Sequence, residues 1–152
     1  MKNLIYLFVF IGIVSLTACD KDDNTPAPQS TNSLVSKIDG VSITFDQVSV
    51  VKETYTDYVD LVITATTSGD NPKTIIFNVT QLALGTDACY YFAYNQESVF
   101  YSWGSETGGN SFEVNVSENT TSKIKGTFSG TLPNEDLSAA IAISNGTFDI
   151  SY

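Results

Sequence analysis

From Leu34 onward, apolar and polar residues alternate with a period of two over several short stretches. The clearest alternation runs through residues 59–65, 75–79 and 112–116, where every second residue is apolar. This pattern is typical of half-buried antiparallel strands, because successive side chains of a strand point to opposite faces. No stretch has the spacing of an amphipathic helix. The pattern therefore predicts strands throughout this part of the chain.

The phase of the alternation slips at two places. Residues 41–45 are apolar at odd positions, but the next apolar residues begin at Val48, which predicts a bulge or a bend near residues 46–47. A second slip occurs at Asn145 and Gly146. There a two-residue hairpin turn and a glycine bulge would each keep one face buried, and the sequence leaves both open.

Further strands are predicted at residues 89–95, 99–103 and 123–132. Turn residues such as Gly, Asn and Pro separate the strands about every ten residues, which is typical of an all-β sandwich or barrel. We expect an antiparallel β-sandwich of about eight to ten strands, with a closed or partly open β-barrel as the alternative.

The composition fits one small folded domain over residues 34–152. Apolar residues make up 42% of the 152-residue chain and charged residues 16%, which is unlike a disordered protein. The formal charge is −10 and the chain contains no Arg. Nucleic acid is therefore excluded as an expected partner, because its binding requires basic residues that neutralise phosphates.

The first 18 residues are predicted to be a signal peptide. A short cationic start precedes the apolar residues 4–16, which are too few to span a bilayer. Leu16-Thr17-Ala18-Cys19 then resembles the lipobox of bacterial lipoproteins. The resemblance implies cleavage after Ala18 and acylation of Cys19 by chains such as palmitate, which would anchor the protein to a membrane. An ordinary signal peptide that leaves a free thiol is the alternative.

The next four residues, Asp20, Lys21, Asp22 and Asp23, resemble the export signal of Bacteroidetes-type lipoproteins. This resemblance implies the outer face of the outer membrane. One alternative is that these residues are only a solvated linker. The alternative locations are the periplasmic face of the outer membrane and the inner membrane, where the enterobacterial sorting rule would retain the protein. Residues 20–33 are polar and predict a flexible tether with a reach of about 20 Å.

Two short motifs lie near the end of the sequence. Residues 124–130 read IKGTFSG and residues 143–148 read ISNGTF. With the IDG of residues 38–40, they resemble an uncharacterised family of small Bacteroidetes lipoproteins, in which a lipobox and a polar tether lead into a β-domain that ends in GTF and NGTF strands. The resemblance implies this fold and location but brings no known activity.

The two motifs also have a physical interpretation. Gly126 and Gly146 are expected to allow bulges or a close approach of strands. Phe128 and Phe148 are expected to fill the core from neighbouring strands. The motifs therefore indicate structure rather than catalysis.

The residue inventory is poor for catalysis. Because the chain has no His and no Arg, it lacks Ser-His-Asp and Cys-His arrangements and bidentate anion clamps. A pair of carboxylates of the glycosidase type remains open, drawn from Asp57, Asp60, Glu97, Glu106 and Glu113. Solvated carboxylates on strands and loops are the favoured interpretation. We therefore expect no catalytic residue and no enzyme.

Cys89 is expected to be a small buried residue, since acylation of Cys19 would leave it without a disulfide partner or a base. Loops at 69–71 and 106–110 offer oxygen ligands but lack the spacing of a calcium loop. No metal and no cofactor are expected.

Aromatic residues are dense between positions 90 and 103. Seven lie within fourteen residues: Tyr90, Tyr91, Phe92, Tyr94, Phe100, Tyr101 and Trp103. Because strands alternate faces, some of these rings must project from the sheet. Tyr90, Tyr94, Tyr101 and Trp103 are the candidate ligand-binding residues, for a glycan or a protein. The alternative is an inward row of Val99, Tyr101 and Trp103.

The sequence thus predicts a non-enzymatic, lipid-anchored surface protein that acts as a binding or interaction module. A glycan or an outer-membrane protein is the expected partner, and the ligand is otherwise open. An enzyme with paired carboxylates and a structural or inhibitory lipoprotein are the alternative classes.

Overall fold

The computed structural model describes residues 32–104 and 112–152. These residues form ten β-strands and one short 3₁₀ turn, Thr86–Ala88, and they contain no α-helix. The strands are β1 (Ser33–Ile38), β2 (Val41–Phe45), β3 (Gln47–Thr54), β4 (Val59–Thr66), β5 (Thr74–Thr80), β6 (Cys89–Gln96), β7 (Val99–Gly104), β8 (Phe112–Asn119), β9 (Lys123–Pro133) and β10 (Ala140–Ser151). Within the same two ranges, no helix is long and apolar enough to cross a membrane.

The strands build two five-stranded antiparallel sheets. The first sheet has the order β2-β1-β10-β9-β8 and the second has the order β3-β4-β5-β6-β7. The sheets are not closed into a barrel, so the predicted β-sandwich is confirmed. The edge strands are β2 and β8 in the first sheet and β3 and β7 in the second.

The chain passes from the first sheet to the second at Asp46. β2 ends at Phe45 and β3 begins at Gln47, and the two strands belong to different sheets. The carboxylate of Asp46 accepts hydrogen bonds from the backbone N–H of Ser68 at 2.9 Å and from its hydroxyl at 2.8 Å. The first phase slip is therefore a bend at which the strand changes sheets.

The second phase slip is a bulge. β10 continues through Asn145 and Gly146, and its pairing with β9 shifts register between Ile143 and Gly146. Asn145 has a φ of 51°, a left-handed conformation that Asn tolerates better than most residues. Of the two open alternatives, the bulge is correct.

The core lies between the inner faces of the two sheets. Its fully buried side chains include Leu34, Phe45, Leu61, Ile63, Phe77, Phe92, Ile124, Leu132 and Ile150. Phe128 and Phe148 are also buried, from neighbouring strands as predicted.

The glycines of the two motifs permit this packing. Gly126 pairs with Phe148, and Gly146 pairs with Phe128 across the same two strands. A Cβ atom on Gly126 would lie 2.5 Å from Cζ of Phe148, and one on Gly146 would lie 2.5 Å from Cε2 of Phe128. Each phenylalanine ring thus covers the glycine of the other motif, and the predicted close approach is confirmed.

Candidate functional site

The aromatic residues between positions 90 and 103 lie on the β6–β7 hairpin at one edge of the second sheet. Phe92 pairs with Trp103, and Tyr94 pairs with Tyr101, so these four side chains share the inner face. Phe92 and Tyr94 are fully buried, whereas Tyr101 and Trp103 are half-buried and pack against the core. The alternative of an inward row is therefore correct for Tyr101 and Trp103 but not for Val99, which is exposed.

Tyr94 belongs to the core. Its ring lies 6.3 Å from that of Tyr101, and its hydroxyl donates a hydrogen bond of 2.7 Å to Oε1 of Gln96. Burial raises the pKa of Tyr94 to about 12. Because none of its ring is accessible, Tyr94 offers no surface for a ligand.

Tyr90 lies on the outer face of the second sheet, away from the other three candidates. The pairing of β5 with β6 shifts register between Asn78 and Val79, which changes the face toward which Tyr90 points. Its hydroxyl donates to Oδ2 of the buried Asp60 at 2.7 Å, and Thr80 donates to Oδ1 at 3.3 Å. Burial, followed by this contact with Asp60, raises the pKa of Tyr90 to about 12.

Trp103 lies on the wall of a surface depression with a volume of ≈ 480 Å³. The depression lies where the 3₁₀ turn meets β7 and β8, the edge strands of the two different sheets. Its lining residues are Thr86, Asp87, Cys89, Trp103, Phe112, Glu113 and Val114. The indole ring lies 6.1 Å from that of Phe112, at an interplanar angle of 48°. The depression is therefore a mixed surface with aromatic and acidic residues.

Cys89 also lines this depression, but its thiol is buried and unreactive. It is 1% exposed, and its thiol donates to the carbonyl oxygen of Tyr91 at 3.3 Å. Burial raises the pKa of the Cys89 thiol to about 12, so it is protonated at neutral pH. The prediction of a small buried residue is confirmed.

The candidate carboxylates occupy separate elements. Asp57 lies in the β3–β4 turn, Glu97 lies in the β6–β7 turn, and Glu113 lies on β8. Asp60 accepts the two hydrogen bonds from Tyr90 and Thr80. Asp60 thus serves as a buried acceptor on the outer face of the second sheet.

Several predicted features lie outside the described residues. They are Cys19, the export signal at 20–23, Glu106 and the loop at 106–110. Among residues 32–104 and 112–152, no three His, Cys, Asp or Glu side chains form a group that could hold a metal ion.

The sequence analysis missed two exposed apolar features. Tyr55 and Tyr58 stack at 4.8 Å in the β3–β4 turn, and each is 48% exposed. Leu82 and Leu84, in the segment between β5 and the 3₁₀ turn, are 62% and 60% exposed. The available signal was a set of large apolar residues in segments between the predicted strands, where polar residues are usual.

Comparisons with known proteins found no relative of this chain. No family matches its sequence, and neither a curated protein nor a solved structure shows significant similarity to it.

Proposed function

We propose that this protein is a lipid-anchored surface protein that binds a glycan in the depression beside Trp103. The observation that carries the proposal is the half-buried indole of Trp103 in a depression of ≈ 480 Å³ that Asp87 and Glu113 also line. The sequence pattern around Cys19 and residues 20–23 supports the anchor and the outer-membrane location.

The lining fits the chemistry of a sugar. A pyranose ring has an apolar C–H face that packs on an aromatic ring, and hydroxyl groups that donate hydrogen bonds to carboxylates. Trp103 offers the aromatic surface, and Asp87, Glu113 and the hydroxyl of Thr86 offer polar partners. Because the chain has a formal charge of −10, a neutral sugar is favoured over an acidic one.

The single tryptophan supplies the test. Because Trp103 is the only Trp in the chain, intrinsic tryptophan fluorescence reports on this depression alone. We expect neutral oligosaccharides from bacterial and plant polysaccharides to change this fluorescence saturably in the mature protein, and acidic oligosaccharides to have little effect.

Asp87→Asn should weaken this binding by about tenfold or more, because one charge-assisted hydrogen bond contributes roughly 1.5–3 kcal/mol. Glu135→Gln, on the β9–β10 loop outside the depression, is the matched control and should bind like the wild type. Equal affinity of wild type, Asp87→Asn and Trp103→Phe, measured by isothermal titration calorimetry because Trp103→Phe removes the only Trp fluorophore, would overturn the proposal. Shortening of the oligosaccharide during the titration would favour the alternative, an enzyme with paired carboxylates.

The proposed location has a separate test. Protease treatment of intact cells should remove the domain from the cell surface, whereas a periplasmic domain would be degraded only after lysis. Protection from the protease in intact cells would contradict the interpretation of residues 20–23 as an export signal.

The lipid anchor is tested by metabolic labelling with a palmitate analogue, which should label the wild-type protein but not Cys19→Ser.

A further inference from the structure

One end of the sandwich is assembled around Tyr152, and we call it the Tyr152 end. The Tyr152 hydroxyl donates to the carbonyl oxygen of Thr120 at 2.7 Å and accepts from Nε2 of Gln81 at 3.4 Å. Nζ of Lys52 lies 4.6 Å from the centre of the Tyr152 ring and donates to the carbonyl oxygen of Thr121 at 2.8 Å. These contacts join β3, the segment after β5, the β8–β9 turn and the residue after β10.

The described part of the chain begins at this same end. Nδ2 of Asn32 donates to the carbonyl oxygen of Ser151 at 3.0 Å, and the N–H of Ser151 donates to Oδ1 of Asn32 at 2.9 Å. Residues 20–31 separate Asn32 from Cys19, and they span at most about 45 Å even when fully extended. In a protein anchored through Cys19, a tether that leaves the domain at the Tyr152 end favours the orientation in which this end faces the membrane. This step rests on the lipid anchor of the proposed function.

The Tyr152 end carries large exposed apolar side chains on two neighbouring connections. The N–H of Gln81 donates to the carbonyl oxygen of Val59 at 2.8 Å, which joins the segment after β5 to the β3–β4 turn. Leu82 and Leu84 project from the first connection, and the stacked rings of Tyr55 and Tyr58 lie on the second.

The connection that bears the leucines is held in place by the first sheet. Nδ2 of the buried Asn119 donates to the carbonyl oxygens of Thr80 and Ala83, at 3.0 and 2.9 Å. Gly85 forms two backbone hydrogen bonds with Val116, of 2.9 and 3.1 Å. The leucines are therefore presented by a structured segment.

Leu82 has an unusual backbone. Its φ of 71° lies in the left-handed region, which is an outlier for a bulky residue and costs conformational energy. The side chain is 62% exposed, so little core packing offsets this cost.

We propose that the Tyr152 end docks on the lipid bilayer that holds the anchor. Leu82 and Leu84 enter the boundary between headgroups and acyl chains, and Tyr55 and Tyr58 lie at headgroup level, where tyrosine is enriched in membrane proteins. Because the net charge is −10, the favoured surface is zwitterionic rather than anionic.

The first test measures partitioning without the lipid anchor. The mature chain with Cys19→Ser is floated with vesicles of phosphatidylcholine, or with vesicles that also contain phosphatidylglycerol. We expect measurable binding to the first vesicles and weaker binding to the second. Leu82→Ser together with Leu84→Ser should reduce binding by about tenfold, because apolar area buried in the interface drives it.

The matched control is Val41→Ser together with Leu137→Ser. These side chains are 62% and 77% exposed, but they lie on β2 and on the β9–β10 loop, at the opposite end of the first sheet from Tyr152. The control should bind like the parent chain. Equal loss in both double variants, or no binding by the parent chain, would overturn the docking proposal.

The second test measures orientation in the acylated protein. In nanodiscs with a spin-labelled headgroup lipid, NMR signals of residues 55–58 and 82–84 should broaden more than those of the Asp39–Gly40 turn at the β1–β2 connection. Uniform broadening in a protein whose Cys19 acylation is verified by mass would overturn docking and leave the anchor intact. An unacylated Cys19 would instead overturn the anchor, and the vesicle test would still decide whether the end binds lipid. Orientation that appears only after an outer-membrane protein is added would replace the lipid surface with a protein partner.

Discussion

The β9–β10 strand pair and the β6–β7 hairpin both carry aromatic residues, but the rings have different roles in the two regions. In the strand pair, Phe128 and Phe148 each lie over a glycine of the partner motif, and both rings are buried. In the hairpin, the rings are divided between the core, the outer face and the sheet edge. Trp103 at that edge lines a depression.

The difference lies in what stands opposite each ring. A glycine across the strand pair leaves a space that one phenylalanine fills, so the two motifs determine each other. The hairpin has no such partner on its free side, because β7 is the edge strand of its sheet. The presence of aromatic residues alone therefore does not distinguish a core from a binding surface.

The largest expected effect contrasts one phenylalanine from each region. Phe148→Ala should lower the free energy of unfolding by about 3–5 kcal/mol, because it leaves a cavity among buried rings. Phe100→Ala on β7 should cost under about 1 kcal/mol, because Phe100 is 38% exposed. Urea denaturation monitored by circular dichroism measures both. Similar losses in the two variants would contradict the contrast between the regions.

The second effect tests the fit of the glycines. Gly146→Ala should cost about 1–3 kcal/mol, because the added methyl group overlaps both the ring and the backbone carbonyl oxygen of Phe128. Phe128→Leu removes part of that ring, so the double variant should be less destabilised than the sum of the two single changes. Strict additivity in this double-mutant cycle would show that the ring and the glycine do not constrain each other.

The third effect is a pH dependence in the hairpin. The pKa values of Tyr90 and Tyr94 are about 12 in the folded protein, above the ordinary 10.0. Between these values the unfolded chain loses protons that the folded chain keeps, so stability is retained below pH 10 and falls as the pH rises through about 12.

Urea denaturation at several pH values from 8 to 11.5 measures this slope. Tyr94→Phe should reduce it, and should also cost about 1 kcal/mol at neutral pH through the lost hydrogen bond to Gln96. Tyr90→Phe should reduce the slope as well. If the slope is unchanged in the variant that carries both Tyr90→Phe and Tyr94→Phe, the pH dependence does not come from these two hydroxyl groups.

The smallest effect concerns Cys89, which lines the depression but is 1% exposed. With a pKa of about 12 against an ordinary 9.0, its thiolate fraction in the folded state is about a thousandfold below that of a free thiol. In the Cys19→Ser chain, a thiol reagent at pH 8 should therefore label Cys89 only after unfolding. The same chain in urea is the control. Rapid labelling of the folded chain would contradict the burial of the thiol.

The alternation of apolar and polar residues predicted most of the strands, but it did not predict β1. Ser36 is buried at an inward position and Val35 is 37% exposed at an outward one, so β1 carries no clean period-two pattern. Only part of the candidate site could be predicted from the sequence. The aromatic residues were visible in the sequence, but the β5–β6 register shift that turns Tyr90 outward was not.

By itself, the sequence determined the all-β class, most strand positions and the structural role of the two glycine–phenylalanine motifs, because these depend on local periodicity and on residue size. Only the tertiary structure decided that residue 46 carries the strand between sheets, that residue 146 follows a bulge, and that β7 and β8 meet beside the 3₁₀ turn. It also brought Leu82 and Tyr58 to the end where Asn32 is bound. These outcomes depend on contacts between residues distant in the chain, which the pattern of neighbouring residues does not encode.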